Sequence, residues 1–143
     1  GVRLVGSEMC IRDRMCKAQE EGLVDFTIAQ PMGYELSEEF TAGATISNNL
    51  EESLKNADFV YVKNWSSYQE YGEVYGVDED WMMDNKKLNL TNDAKVMHCL
   101  PVRRDLELSS EILDGPNSLV IKEASNRVWA AQVVLKRMLE DLA

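Results

Sequence analysis

Histidine is almost missing from this chain: one residue, His98, stands among 143. Cysteine is nearly as scarce, with Cys10, Cys16 and Cys99 and no CxxC pair. Ligands this few and this far apart do not have zinc spacing, so no metal is expected. The odd cysteine count, with no charged start leading into a long apolar stretch, points to a reducing, cytoplasmic setting. No apolar run approaches the length of a membrane span. Cations are also in short supply, 15 against 25 carboxylates for a net charge of −10, so no basic surface is available for a nucleic acid. Neither GxGxxG nor a P-loop occurs, which removes support for dinucleotide or nucleoside triphosphate binding. There is no internal repeat and no low-complexity tract.

The residues that are present are those of an ordinary folded domain: 45% apolar and 28% charged, in a chain long enough to bury a core. The acidity lies in patches such as Ser37-Glu38-Glu39 and Glu51-Glu52, read as solvated helix faces. Met15 to Gly22 reads as a helix end stopped by glycine, and Val24 to Pro31 as a short strand closed by proline. Ser37 suits a helix start, and "GATISN" a short strand. Leu50 to Ala57 is amphipathic and helical. Asp58 to Trp65 is a strand, Ser66 to Leu90 loop and short helix, and "KVMHCLP" another strand. Ser109 to Leu113 begins as a capped turn, "DGPN" is a turn and "SLVIKEA" a last extended segment. A C-terminal helix follows, capped near Ser125 or Asn126. Strands alternating with helices predict an α/β, Rossmann-like domain with a mainly parallel sheet. Ligands in such sheets bind beyond the carboxyl ends of the strands.

Three segments put polar residues at that edge: Gln30-Pro31, Lys63-Asn64-Trp65, and His98 to Arg104. The last belongs to "VMHCLPVRRD". Its two arginines offer planar forks for carboxylate or phosphate oxygens. Lys63 adds a point charge, and Arg127 a third guanidinium in the first turn of the last helix. Together they outline a pocket for an anion; the plainer alternative is salt bridging to Asp105, Glu107 and Glu123. Cys99 is either a thiolate nucleophile or an inert strand cysteine, and His98 either a general base or a hydrogen-bonded structural residue.

The first fourteen residues differ in kind. "LVGSEMCIRDR", Leu4 to Arg14, can be read back codon by codon into a string that resembles a transposase adapter used in short-read DNA sequencing. Residues 1–14 are therefore expected to be foreign, with the native domain, 15–143, starting near Met15 and incomplete at its N-terminus.

"HCLPVRR" resembles the HCLP signature of the aspartate/ornithine carbamoyltransferase superfamily, and "QPMGYEL", "ADFVYVKNWSSY" and "EASNRVWAAQVVLKRML" extend the likeness over nearly everything from Met15 onward. The similarity is greatest to the N-acetylornithine and N-succinylornithine carbamoyltransferases. Ordinary ornithine enzymes carry an SMG loop where this chain reads Lys63 to Tyr68, and an alanine where it has Val102. The resemblance implies a truncated ornithine-binding domain of an arginine-biosynthetic transferase, cytoplasmic and homotrimeric. It implies no cofactor, metal, nucleic acid or membrane. Cys99 and the Leu100 carbonyl would contact the carbamoyl group of carbamoyl phosphate, and His98 and Arg127 would face the same substrate. Lys63, Leu100 and Arg103 would bind the acylornithine, with Cys99 and Arg127 the catalytic pair. Glu107 takes the place where one acetylornithine branch carries a carboxylated lysine. The alternatives are a transferase for free ornithine and a catalytically silent α/β interaction module.

The family's SxRTR and HPxQ phosphate motifs are absent, so the chain alone is expected to be inactive. The first strand of the native domain is also expected to be missing, which would open a central slot in the sheet. "VRLVG" and the helix-like "SEMCIRDRMCKAQEEG" copy a strand–helix unit. Val2 to Val5 are thus expected in or beside that slot, parallel to Phe26–Ala29, with Glu8 to Glu21 as the crossover helix.

Overall fold

Short runs of three or four residues, most of them apolar or β-branched, build the sheet. The computed structural model describes residues 2–5, 9–36, 41, 43–64 and 79–142, with side chains from residue 13 onward, Glu79 excepted. The strands are β1 (Val2–Val5), β2 (Phe26–Ala29), β3 (Thr45–Ser47), β4 (Phe59–Val62) and β5 (Lys95–His98). The helices are α1 (Met9–Glu20), α2 (Leu50–Leu54), α3 (Asn85–Leu88), α4 (Ser110–Leu113) and α5 (Val120–Glu140). All strand pairs are parallel, in the order β3-β2-β1-β4-β5. The expected α/β fold is thus observed. Ser37–Phe40 and Trp65–Asp78, where a helix start, a strand end and a loop were expected, lie outside the described residues.

The central position belongs to β1. Val2 to Val5 pair with Phe26 to Ala29 on one side and with Phe59 to Val62 on the other, so β2 and β4 each meet β1 and not each other. Helix α1 joins β1 to β2, the crossover that a parallel pair requires. Its end follows the glycine rule: Gly22 takes φ +71°, and its N–H and that of Leu23 close on the Gln19 and Ala18 carbonyls.

Both faces of the sheet are covered, as the buried run Val60-Tyr61-Val62 requires. Ala29, Val60, Val62 and Val96 point to one side, against Leu54, Leu108, Ile112 and Val120. Phe26, Ile28 and Tyr61 point to the other, against Cys16 of α1. Each fully buried aliphatic or Phe side chain contributes about 1.5–3 kcal/mol. The short helices are fixed by their caps: Asn49, Asp84 and Ser109 accept the N–H of the third residue on.

The last segment corrects two expectations. "SLVIKEA" is not a strand beyond its first residues, and the helix does not start at Ser125 or Asn126. Only a single bridge forms, Ser118 beside Val96, where Val96 N–H reaches the Asn117 carbonyl and Leu119 N–H the Val96 carbonyl. The chain then enters α5 at Val120, with Leu119 as a cap that offers no side-chain bond. Val120 and Ile121 favour strands locally, but the β5 edge holds only this short segment, and the helical period from Val120 onward prevails. Arg127 is therefore about two turns inside the helix instead of in its first turn. Val120 is the only buried residue of α5.

Candidate active site at the carboxyl edge of the sheet

Strand register brings the polar residues together. Val5 is level with Ala29 and Val62, and Val62 with His98, so Gln30, Lys63 and Cys99 leave the sheet at one edge. Lys63 Nζ lies 3.3 Å from Cys99 Sγ and donates to it. Past Cys99 the chain turns sharply: Leu100 has φ +58° and its bond to Pro101 is cis. A leucine in the left-handed region is strained and persists only where its surroundings hold it. Part of that hold is visible, since Leu100 N–H donates to His98 Nδ1 at 2.9 Å.

His98 is 1% exposed. Because Nδ1 accepts, the hydrogen of the neutral ring resides on Nε2. Nε2 points towards Glu107 Oε2 at 3.4 Å, a charge–dipole contact and not a well-formed hydrogen bond. Glu107 is wholly buried. Its carboxylate receives the Arg103 backbone N–H at 3.1 Å and the Arg103 Nε at 2.7 Å, with Nη2 also in contact. Burial pushes the Glu107 carboxyl up, but His98 and the donors of Arg103 more than offset this and hold it below the usual glutamate range. The result is a chain Leu100–His98–Glu107–Arg103 running behind the strand end.

On the other side is a cleft of about 290 Å³, lined among others by Arg14, Tyr61, His98, Cys99, Glu123 and Arg127. Arg127 and Glu123 are four residues apart on α5 and so share a helix face. Tyr61 donates its hydroxyl to Glu123 Oε1 at 2.8 Å. The second oxygen, Oε2, is buried without a hydrogen-bond partner among the described residues. The cleft therefore offers guanidinium donors for an anion and a carboxylate oxygen for an N–H group.

The expected site residues divide accordingly. His98, Cys99 and Arg127 meet in the cleft, and Lys63 joins them through Cys99. Leu100 and Arg103 do not line it; Leu100 faces back to His98, and Arg103 is engaged by Glu107. Arg104 leaves the expected anion pocket altogether. It forms a two-pronged pair with Asp114 at 2.7 and 2.8 Å, which raises its own pKa and lowers that of Asp114. For this residue the plain salt-bridge alternative is the correct one, with a different partner. Asp105 accepts the Ser110 N–H and hydroxyl at the start of α4. Arg14 was not foreseen as part of the site; Glu107 and Glu123 were expected only as ion-pair partners of the cations, and Arg103 does pair with Glu107. The four-residue spacings Arg103–Glu107 and Glu123–Arg127 were the available signal for the two acids. Among the described residues no group of His, Cys, Asp and Glu could hold a metal ion. No helix among them is long and apolar enough to cross a membrane.

Known proteins resemble this chain in sequence and in fold. The family model "Aspartate/ornithine carbamoyltransferase, Asp/Orn binding domain" matches residues 12–138. The N-succinylornithine carbamoyltransferase of Bacteroides thetaiotaomicron is 41% identical over 120 residues, which is 82% of this chain and 38% of that protein. The ornithine carbamoyltransferase of Methanobrevibacter smithii is 36% identical over 132 residues, covering 82% of this chain and 44% of its own length. The chain thus spans less than half of the curated relatives it matches. A crystal structure of N-acetyl-L-ornithine transcarbamylase superposes with a TM-score of 0.69 at 24% identity, over 88% of this chain and 46% of that one. A variant of the same enzyme, complexed with carbamyl phosphate and N-succinyl-L-norvaline, gives 0.68 at 24% identity, over 88% and 45%. At these identities the likeness is one of fold.

Proposed function

Since the chain belongs to the aspartate/ornithine carbamoyltransferase family, by its Asp/Orn binding domain, we propose that the protein carrying it transfers the carbamoyl group of carbamoyl phosphate to the δ-amine of an N-acylated ornithine, acetyl or succinyl. The observation that carries this reading is the meeting of Lys63, Cys99 and Arg127 at one edge of the sheet. Arg127 holds carbamoyl phosphate by its oxygens, and Cys99 and the Leu100 carbonyl contact the carbamoyl group beside His98. Lys63 and Arg103 receive the acylornithine, Arg103 being oriented by Glu107. The amine lone pair attacks the carbamoyl carbon. The bond from that carbon to the phosphate-bound oxygen breaks, phosphate leaves with the electron pair, and the amine gives up its proton. Catalysis is then positioning together with stabilisation of charge on the carbamoyl oxygen and the leaving phosphate. Cys99 acts as a contact and forms no covalent intermediate. The rest of the phosphate site lies in the part of the relatives that this chain does not span, so the 143 residues alone are inactive. The protein is cytoplasmic and trimeric and contributes to arginine biosynthesis.

The preference for an acylated substrate rests on the missing SMG sequence after Lys63 and on Arg103. The test is a chimera in which residues 15–143 replace the matching segment of the Bacteroides thetaiotaomicron relative. Assayed with carbamoyl phosphate, it is expected to turn over N-succinyl- or N-acetylornithine faster than ornithine. Faster use of free ornithine would overturn the assignment, and transfer by the 143-residue chain alone would overturn the division of the site.

A further inference from the structure

Glu123 keeps one carboxylate oxygen in reserve. Tyr61, buried in β4, donates its hydroxyl to Oε1 at 2.8 Å. Oε2 is buried, and no donor among the described residues reaches it. A buried acceptor left unpaired costs about 1–3 kcal/mol, and more when it is charged, so an orphan of this kind needs a reason. The neighbours that line the same cleft do not supply the missing donor. His98 turns Nε2 towards Glu107, and the Cys99 sulfur itself accepts from Lys63. Arg127 lies four residues further along α5, about one helical turn, and among the described residues no ion pair joins it to Glu123. A free guanidinium and a free carboxylate oxygen thus stand side by side on one helix face without satisfying each other.

We propose that Glu123 selects the carbamoyl group over other acyl groups: Oε2 accepts an N–H of the carbamoyl amide while Arg127 donates to the oxygens of the same molecule. This inference rests on the transferase reading above. The lining of the cleft decides between the two nitrogen groups of that reaction. It holds Cys99 and Arg127, assigned to carbamoyl phosphate, and the residues around Glu123 do not include Lys63, assigned to the acylornithine. The N–H that meets Oε2 therefore belongs to the carbamoyl group and not to the δ-amine. A primary amide presents an acceptor and a donor on one edge, and α5 presents the complement at positions i and i+4. The amide's second N–H remains for the Leu100 carbonyl. Tyr61 holds the Glu123 carboxylate before any ligand arrives, so little freedom is lost on binding. An acetyl group of the same shape turns a methyl to Oε2 and leaves it unpaired. A site built around an N–H rejects in this way the isostere that lacks it.

The chimera described above tests the proposal, with carbamoyl phosphate as donor and acetyl phosphate as competing ligand. Acetyl phosphate is expected to inhibit the wild-type chimera only at concentrations about 100-fold or more above the KM for carbamoyl phosphate. Glu123→Met keeps the length of the side chain and removes both acceptors. It should lower kcat/KM for carbamoyl phosphate by about 30-fold or more, while acetyl phosphate inhibits as well as before or better. Glu123→Gln, whose amide oxygen can still turn to the N–H, should fall between the two. The rise in melting temperature on adding each phosphate reads binding without turnover and should follow the same order. A purely structural role, holding Tyr61, would move both ligands in the same direction. Equal losses for carbamoyl and acetyl phosphate would therefore overturn the proposal, as would a wild type that binds the two alike or a Glu123→Met chimera with unchanged preference. A wild-type chimera that transfers no carbamoyl group would overturn the transferase reading itself, whereas an active chimera indifferent to Glu123→Met overturns only this assignment.

Discussion

Replacing Glu107 with glutamine tests whether the buried carboxylate holds the strand end together. In the wild type, Arg103 gives Glu107 its backbone N–H and its guanidinium, and His98 faces the remaining side at 3.4 Å. Glutamine keeps the shape but loses the charge, and its amide nitrogen must face a donor wherever it turns. Arg103, half-buried with its side chain 33% exposed, then loses the charge of Glu107. Breaking a buried pair from one side costs about 3–5 kcal/mol, and relief of the carboxylate's own desolvation places Glu107→Gln at the lower end, about 3 kcal/mol. That is a large share of a domain stability of roughly 5–15 kcal/mol. The effect must also depend on pH. The native carboxyl lies below the ordinary value of 4.5, so the native state binds its proton less readily than the unfolded chain does. The stabilisation is complete above 4.5 and is lost as pH falls through the lowered native value. Urea unfolding of both chains at fixed concentration, at pH 7 and at steps down to pH 3, measures the gap directly. It should be near its full size at pH 7 and shrink below pH 4.5. A gap under about 0.5 kcal/mol at pH 7, the range of an ordinary surface change, would refute the reasoning. So would a gap that does not change with pH.

Two further changes probe the turn behind β5 and the cleft in front of it. A Cβ on Gly115 would sit 2.7 Å from the Glu111 carbonyl oxygen, a backbone atom with little room to move, so Gly115→Ala should cost about 1–3 kcal/mol; an unchanged melting temperature would show that the turn relaxes freely. In the chimera, Arg127→Ala should lower kcat/KM for carbamoyl phosphate by about 100-fold or more, the effect of one lost donor in a dry site, and Cys99→Ala by less; the reverse order would exchange the roles given to these two residues.

The fold was legible where local pattern and tertiary placement agree. Phe26 to Ala29, Phe59 to Val62 and Lys95 to His98 are short β-branched runs bounded by turn residues, and each is a strand. Val2 to Val5 read as a strand beside Phe26–Ala29, and it pairs on both sides at the centre of the sheet. Val120 to Ala124 failed as a reading because its residues suit either state. The choice depended on how many residues the β5 edge could pair, and that is a property of the assembled sheet and not of the segment.

The site was legible by strand ends and illegible by charge. Counting residues past each strand was enough to bring Lys63 to Cys99, since parallel register carries that information directly. Which arginine would face the cleft could not be counted. Arg103 and Arg104 are adjacent in sequence, yet one serves a buried carboxylate and the other an exposed one, because the turn through Leu100 and Pro101 sends neighbouring side chains to different partners. Glu107 looked like a surface acid, and only its burial makes it a structural charge. Once it is buried, Arg103 cannot leave it without exposing an unpaired ion to a dry interior, a cost of several kcal/mol. Any substrate group that Arg103 receives must therefore bind the donors that Glu107 leaves unused. That condition suits a neutral or singly charged acyl oxygen, which needs one or two donors, and does not suit a phosphate, which needs a full cradle. In the function proposed above, the phosphate end of the reaction is assigned to Arg127, which lines the cleft.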